Sequence, residues 1–300
     1  MNYKNINAAI IKGHDMQENF SRDKDFYNYL LGNNVVYFYS SILSTKKTQV
    51  DKKILKAGKI LNDKYLKTLH LISKIGKENK ISFLLFKTYK YIPEIVDNDI
   101  DLFVRERDFS RFMKALEEEG FDCIENERLK GICTKESFCN IEPRVNLEFH
   151  ELVILDEEKI WNKREIVKVS GITISKVIKE IDLLHPLLSI LYNPNYLKLY
   201  VFLVYKNTEI KELFNLVDNV KINQDLAFVI KKLITGNVED KRFPLFMGSK
   251  DYVSWWFKRI LPEMRLSIYT RLKHILFFFY MKYSQILFNR LIFKHDWPLE

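Results

Sequence analysis

The sequence predicts an α+β protein, with a small mixed β-sheet core flanked by helices and followed by a helical C-terminal region. Three observations predict it. Short apolar or alternating runs at 81–88, 99–104 and 144–154 read as strands, with a helix-period segment between the second and third. From 59 to 75, and from about residue 176 onward, apolar residues recur near a 3.6-residue period. With 9 Gly and 7 Pro among 300 residues, and no repeat or low-complexity tract, a disordered or fibrous chain is excluded. Helix, strand, strand, helix, strands is an α+β order rather than a doubly wound one.

Taken in order, residues 14–45 and 52–79 read mainly as helix, with Ile60, Leu61, Tyr65, Leu69, Ile72 and Ile75 on one face of the second. "ISFLLFKT" (81–88) suits a strand buried on both faces. A ten-residue connection with Pro93 leads to "DIDLFV" (99–104). Asp108 is expected to cap the helix "FSRFMKALEEE", whose buried stripe is Phe109, Phe112, Met113 and Leu116 and whose stop is Gly120. Residues 122–128 and 130–134 suggest a hairpin. "RVNLEFHELVI" (144–154) reads as one half-buried strand and Ile166–Ile174 as another. The expected division is 1–58, an N-terminal helical segment; 59–175, the α+β core; and 176–300, a helical, basic region.

The formal net charge is +9, and residues 241–300 carry 11 Lys/Arg against 4 Asp/Glu. A basic C-terminal region fits an anionic partner, whether nucleic acid, nucleotide phosphate or lipid surface, and equally a solvated basic face. Cys123, Cys133 and Cys139 form an odd set without metal-ligand spacing, which suggests reduced thiols and a cytoplasmic protein. The opening residues lack the apolar core of a signal peptide. The run 267–297 is aromatic and apolar, but Lys273, Lys282, Arg290 and Lys294 interrupt it, so no transmembrane segment is expected. Core packing, peripheral contact with an anionic membrane and contact with an RNA acceptor all fit that run.

The chemistry concentrates at "DNDIDLFV" (97–104). In a strand, residues two apart share a face, so Asp99 and Asp101 project together while Ile100 and Leu102 face away. Parallel carboxylates repel unless a cation sits against them, and oxygen ligands suit Mg²⁺ or Mn²⁺. Glu148 shares a face with Asn146 and His150 in the alternating strand 145–150, and would complete a three-carboxylate site. Asp97, Asp99 and Asp101 also match the first ligands of a calcium loop. That reading fails at Leu102, where the loop needs glycine, and at Asp108, where it needs glutamate. His150 is read equally as a substrate contact or a hydrogen-bonded spacer, and His185, in "DLLHPLL", as packed. No Gly-rich phosphate loop, zinc pattern or nucleophile elbow occurs.

"LLFKT", ten residues, "DIDLFV", a helix and then "VNLEFH" together resemble the DNA polymerase β-like nucleotidyltransferase superfamily, especially its minimal archaeal and bacterial members. The trailing "IWNKREIVKVSGITIS" is similar to the Trp-containing stretch that follows in such proteins. The resemblance covers roughly residues 60–190. It implies a metal-dependent transfer of a nucleoside monophosphate from a nucleoside triphosphate to an acceptor hydroxyl. By position it implies Asp99, Asp101 and Glu148 as catalytic metal ligands, with Mg²⁺ or Mn²⁺. Lys87, Thr88 and Lys90 stand at the phosphate-facing turn, where Thr88 departs from the usual glycine. The acceptor stays open among a protein, an RNA, a sugar and a small molecule. Two other readings stay beside this one. One is a non-catalytic protein that keeps the fold and docks to a membrane or partner through its C-terminal helices. The other is a glycosyltransferase that uses a nucleotide-sugar at its Asp-x-Asp pair.

Overall fold

The structure is a computed structural model that describes residues 49–87, 99–127, 129–149, 152–192, 196–197, 208–234, 245–246 and 249–259, with the single positions 7, 10, 26, 29, 30, 35, 39, 199, 201 and 276. The expected helix at 14–45 and the run 267–297 lie almost wholly outside the described residues, as do Thr88, Lys90, Asp97 and His150.

The first helix, α1, spans Gln49–Glu78, and strand β1 follows at Phe83–Phe86. Gly76 lets helix and strand meet, because a Cβ there would stand 2.9 Å from the Phe83 ring and 3.0 Å from the Ile81 carbonyl. Strand β2 is Asp99–Val104 and helix α2 is Glu106–Glu118. The expected cap at Asp108 is corrected. Arg105 holds the N-cap position without a side-chain bond, and Asp108 lies in the first turn with its carboxylate accepting from Arg111 at 2.7 Å. Its charge still favours the helix N-terminus. Gly120 ends the helix at φ +84°, a conformation that glycine adopts without a Cβ penalty.

Strands β3 (Asp122–Glu127) and β4 (Lys130–Thr134) form the expected hairpin. The next segment departs from expectation. The single strand at 144–154 is instead β5 (Asn140–Arg144), then a separate hairpin of β6 (Leu147–Phe149) and β7 (Leu152–Leu155). Uninterrupted alternation conceals a reversal, because a hairpin preserves the period of two on either side of its turn. Helix α3 (Glu157–Asn162) is capped by Asp156, whose side chain accepts from the Lys159 amide. The strand expected at 166–174 is likewise a hairpin, β8 (Arg164–Val169) and β9 (Ile172–Val177). Ser170 and Gly171 both have positive φ, the conformation of a two-residue turn whose twist matches its strands.

Seven strands make one mixed sheet in the order β3-β4-β5-β2-β1-β9-β8. The pairs β5/β2 and β1/β9 are parallel, and the other neighbours are antiparallel. Alternation along β1 and β2 sorts the two faces. Leu85, Ile100, Leu102 and Val104 pack with Leu69 and Ile72 of α1 and Phe112 and Leu116 of α2. Leu84, Phe86 and Phe103 join the cluster that contains α4 (Lys179–Tyr192), through Ile181, Leu184 and Leu188.

Beyond α4 the chain is mainly helical among the described residues. Helices α5 (Ile210–Leu216), α6 (Val220–Val229) and α7 (Ser249–Arg259) are present, with a π turn at Ile230–Ile234 and a short ladder of β10 (Tyr196–Leu197) with β11 (Leu245–Phe246). Asp225 of α6 accepts from the Tyr192 hydroxyl and, at 2.8 Å, from the Trp255 indole. Among the described residues no helix is long and apolar enough to cross a membrane.

The expectation of reduced thiols is corrected for two cysteines. Cys123 and Cys133 are directly opposed across β3/β4, with Cα atoms 4.0 Å apart, and form a disulfide. Cys139 is free and buried. Spacing alone could not reveal the pair, because it depends on hairpin register.

Candidate active site

Phe86, Asp101 and Glu142 stand side by side across β1, β2 and β5. The register pairs Phe86 with Asp101 and Asp101 with Glu142. Residues paired this way share a face, here the one turned toward α4. Asp101 is 4% exposed, so its charge needs compensation. Its Oδ1 accepts from Lys87 Nζ at 2.8 Å and from Arg144 Nη2 at 2.6 Å. The same Arg144 nitrogen reaches Glu142 Oε2 at 3.2 Å. Both cations lie near the Phe86 ring, Lys87 Nζ at 5.6 Å and the Arg144 guanidinium carbon at 5.5 Å.

Burial, and then the negative charge of Asp101, push the Glu142 carboxyl up, against the opposing pull of Lys87, Arg144 and Lys130. Asp99 is half-buried on the same face of β2, opposite Asn140. Glu148 is half-buried in β6, opposite Val153 and outside the seven-stranded sheet. The structure thus brings together Lys87, Asp101, Arg144 and Glu142. Sequence reasoning missed the last two, although "NIEPRV" carries the signal. Asn140, Glu142 and Arg144 alternate with Ile141, Pro143 and Val145, but Pro143 argues against a strand with neighbours on both sides.

Lys87 owes its position to the turn that ends β1. Its φ is +56°, costly for a residue with a Cβ. The left-handed residue is thus Lys87, one position before the expected glycine site at Thr88. Glycine would relieve the strain but could not supply the ammonium. The turn is held from α4, where Asp182 Oδ1 accepts the Lys87 amide at 2.6 Å and Oδ2 lies 3.5 Å from Lys176 Nζ. Lys176 is fully buried and also lies 3.5 Å from Glu165. Burial pushes the Asp182 carboxyl up to about 7, with Lys176 and the Lys87 amide pulling the other way.

His185, one helical turn along α4, is packed as the sequence suggested. It stacks on Phe149 at 5.2 Å and meets Phe86 edge-on at 5.5 Å. Burial first, then the nearby cations Lys87, Arg144 and Lys130, hold its pKa well below the usual range, so it is a neutral ring in the floor of the site.

Among the described residues no three His, Cys, Asp or Glu side chains converge into a ready-made metal cage. Magnesium does not require one, since one or two carboxylates with substrate phosphates suffice. Asp101 and Glu142, adjacent across β2/β5 and on one face, fit that requirement.

No family model matches the chain, nor does any curated protein. A solved structure of the antibiotic-resistance factor ANT(2'')-Ia is similar over 50% of this chain and 87% of that one, at 9% sequence identity and a TM-score of 0.40. At that distance the chemistry has to be argued from the residues themselves.

Proposed function

We propose that this chain is a nucleotidyltransferase, moving a nucleoside monophosphate from a nucleoside triphosphate to an acceptor hydroxyl. The observation that carries the reading is the row Asp101–Glu142, a buried and a half-buried carboxylate on adjacent strands, with Lys87 on Asp101 and Arg144 on both. Mg²⁺ or Mn²⁺ would be held by Asp101 and Glu142, with Asp99 beside them. When bound, it supplies Lewis-acid polarisation of a phosphoryl oxygen and a lowered pKa for the acceptor hydroxyl. We assign the third carboxylate to Glu142 in preference to Glu148, because Glu142 shares the sheet, the face and Arg144 with Asp101.

Lys87 is the more exposed of the two cations, its side chain 20% accessible against 5% for Arg144. It turns from Asp101 to the triphosphate and stabilises charge gathering on the leaving group. Arg144 stays with the carboxylates. The acceptor oxygen attacks the α-phosphorus, a new O–P bond forms, and the bond to pyrophosphate breaks with its electron pair. Glu142, the carboxylate beside Asp101 on the same face, accepts the hydroxyl proton. Thr88 and Lys90 remain proposed phosphate contacts by their position after Lys87. The acceptor is a protein, an RNA, a sugar or a small molecule, and peripheral membrane contact through 267–297 remains proposed beside a cytoplasmic location.

One observation favours the non-catalytic reading. Asp101 Oδ1 is already engaged by two cations, as in a purely structural ion-pair network. Calorimetry with the four nucleoside triphosphates and a panel of nucleotide-sugars, with and without Mg²⁺, separates the readings. Metal-dependent binding of a triphosphate, lost in Asp101→Asn, together with pyrophosphate release on acceptor addition, supports transfer. Binding without turnover against any acceptor class favours the binding protein. Selective nucleotide-sugar binding overturns both in favour of glycosyl transfer.

A further inference from the structure

The end of β1 and β2 remote from Asp101 carries a second concave site. Phe83 pairs with Val104 there, so it lies about 10 Å along the strands from the Phe86/Asp101 pair. The pocket holds about 450 Å³, the size of a small-molecule site. Its wall comes from the end of α1, the starts of β1 and β9, the β2–α2 junction and the α3–β8 junction.

The lining is rich in hydrogen-bond donors. Lys77, Arg105, Arg107 and Arg164 contribute four cations, and Asp108 is the one carboxylate. Ser73, Ser82, Thr173 and Ser175 add hydroxyls. Much of the fixed structure is already satisfied. Arg105 forks to Glu157 at 2.8 Å and Glu158 at 2.7 Å, and its guanidinium lies 4.5 Å from the Trp161 ring centre. Asp108 is taken by Arg111. What remains turned outward is cationic. Lys77 has no ion-pair partner among the described residues, Arg107 approaches Asp108 only to 3.8 Å, and Arg164 uses one nitrogen on the Trp161 carbonyl at 3.0 Å. The buried Trp161 indole N–H, in the same wall, finds no acceptor among the described residues.

A pocket with surplus donors and its carboxylate already paired calls for a ligand that brings acceptors and negative charge. We propose that this pocket is a second ligand site, which binds a small phosphorylated molecule through Lys77, Arg107 and Arg164. Phosphate matches the set because it offers three or more acceptor oxygens to guanidinium, ammonium and hydroxyl donors at once. The site is separate from the Asp101 cluster and stands whether or not that cluster transfers nucleotides.

The experiment uses the full chain labelled with ¹⁵N-tryptophan, following the indole N–H signal of Trp161, assigned by its disappearance in Trp161→Phe. Pyrophosphate is the probe, citrate the non-phosphate polyanion. Saturable movement of the Trp161 signal with pyrophosphate is expected in the wild type and in Lys87→Ala, which disables the Asp101 site. Lys77→Glu with Arg164→Glu should weaken that binding by about tenfold or more, the loss of two charge-assisted contacts. Arg107→Glu alone provides the same test should the double variant lose its native circular dichroism. An unmoved signal, or equal binding in charge-reversed variants that remain folded, overturns the proposal. Loss of the response in Lys87→Ala overturns it too, by assigning the binding to Asp101. Equal response to citrate overturns the phosphate assignment.

Discussion

The two faces of the central sheet are made from the same strands and differ in almost every other respect. On the α1/α2 face, Leu85, Ile100 and Leu102 belong to an apolar cluster. On the α4 face, Phe86, Asp101 and Glu142 alternate with them and carry a charged network. One residue step along β2 separates a dry core from a set of buried ions. Alternation along a strand thus gives one face an apolar core and the other a charged network. A substitution on either face therefore has a characteristic signature.

The largest effect should come from Asp101→Ala. It strands Lys87 and Arg144, a loss of about 3–5 kcal/mol for a broken buried pair, and it should abolish metal-dependent nucleotide binding. Chemical denaturation and calorimetry read the two losses separately. Leu102→Ala, one step away, should cost about 2–5 kcal/mol in the same denaturation curves. Nucleotide affinity should be unchanged wherever this variant is folded. If affinity falls with Leu102 as steeply as with Asp101, the faces are not independent.

Cys123→Ser should cost less, about 2–3 kcal/mol by loop closure over ten residues, with the urea midpoint of the wild type falling to the same value under reducing conditions. The subtlest prediction concerns pH. Between about pH 4 and 7 the folded chain keeps a proton on Asp182 that the unfolded chain releases. Stability contributed by this group therefore falls as pH rises through that window. Asp182→Asn should flatten that component of the stability–pH curve, measured as the difference from wild type. The amide that this substitution introduces still offers an oxygen to the Lys87 N–H, so nucleotide affinity should change little.

The sequence was legible where one local rule acted alone. The β2 strand, the apolar stripe of α2 and its glycine stop follow from period and cap chemistry. It was opaque where the outcome depended on partners distant in the chain. Pro143 disguises β5, whose strand geometry comes from its neighbours β2 and β4. The antiparallel pairs β6/β7 and β8/β9 keep the period of two across their reversals, so single strands were expected where hairpins stand. Arg144 and Glu142 became visible as site residues only once the β2/β5 register was fixed. Asp99 and Asp101 were singled out by their spacing, yet the sequence could not reveal that Asp101 is clasped by two cations. The Asp182 support of the Lys87 turn spans 95 residues, beyond any local pattern.

The sheet ends at both sides in hairpins, and its outer strands β3 and β8 have no further strand neighbour among the described residues. Each also presents an isoleucine to solvent, Ile124 at 58% and Ile166 at 73% exposure. Open edges with apolar residues invite chain-to-chain pairing. Glu125 follows Ile124, and Glu165 and Lys168 bracket Ile166, so charge guards both rims. Neutral β-forming substitutions at Glu125 and Lys168 would turn the rims into templates for aggregation, whereas at Glu165 they would also take a partner from the buried Lys176.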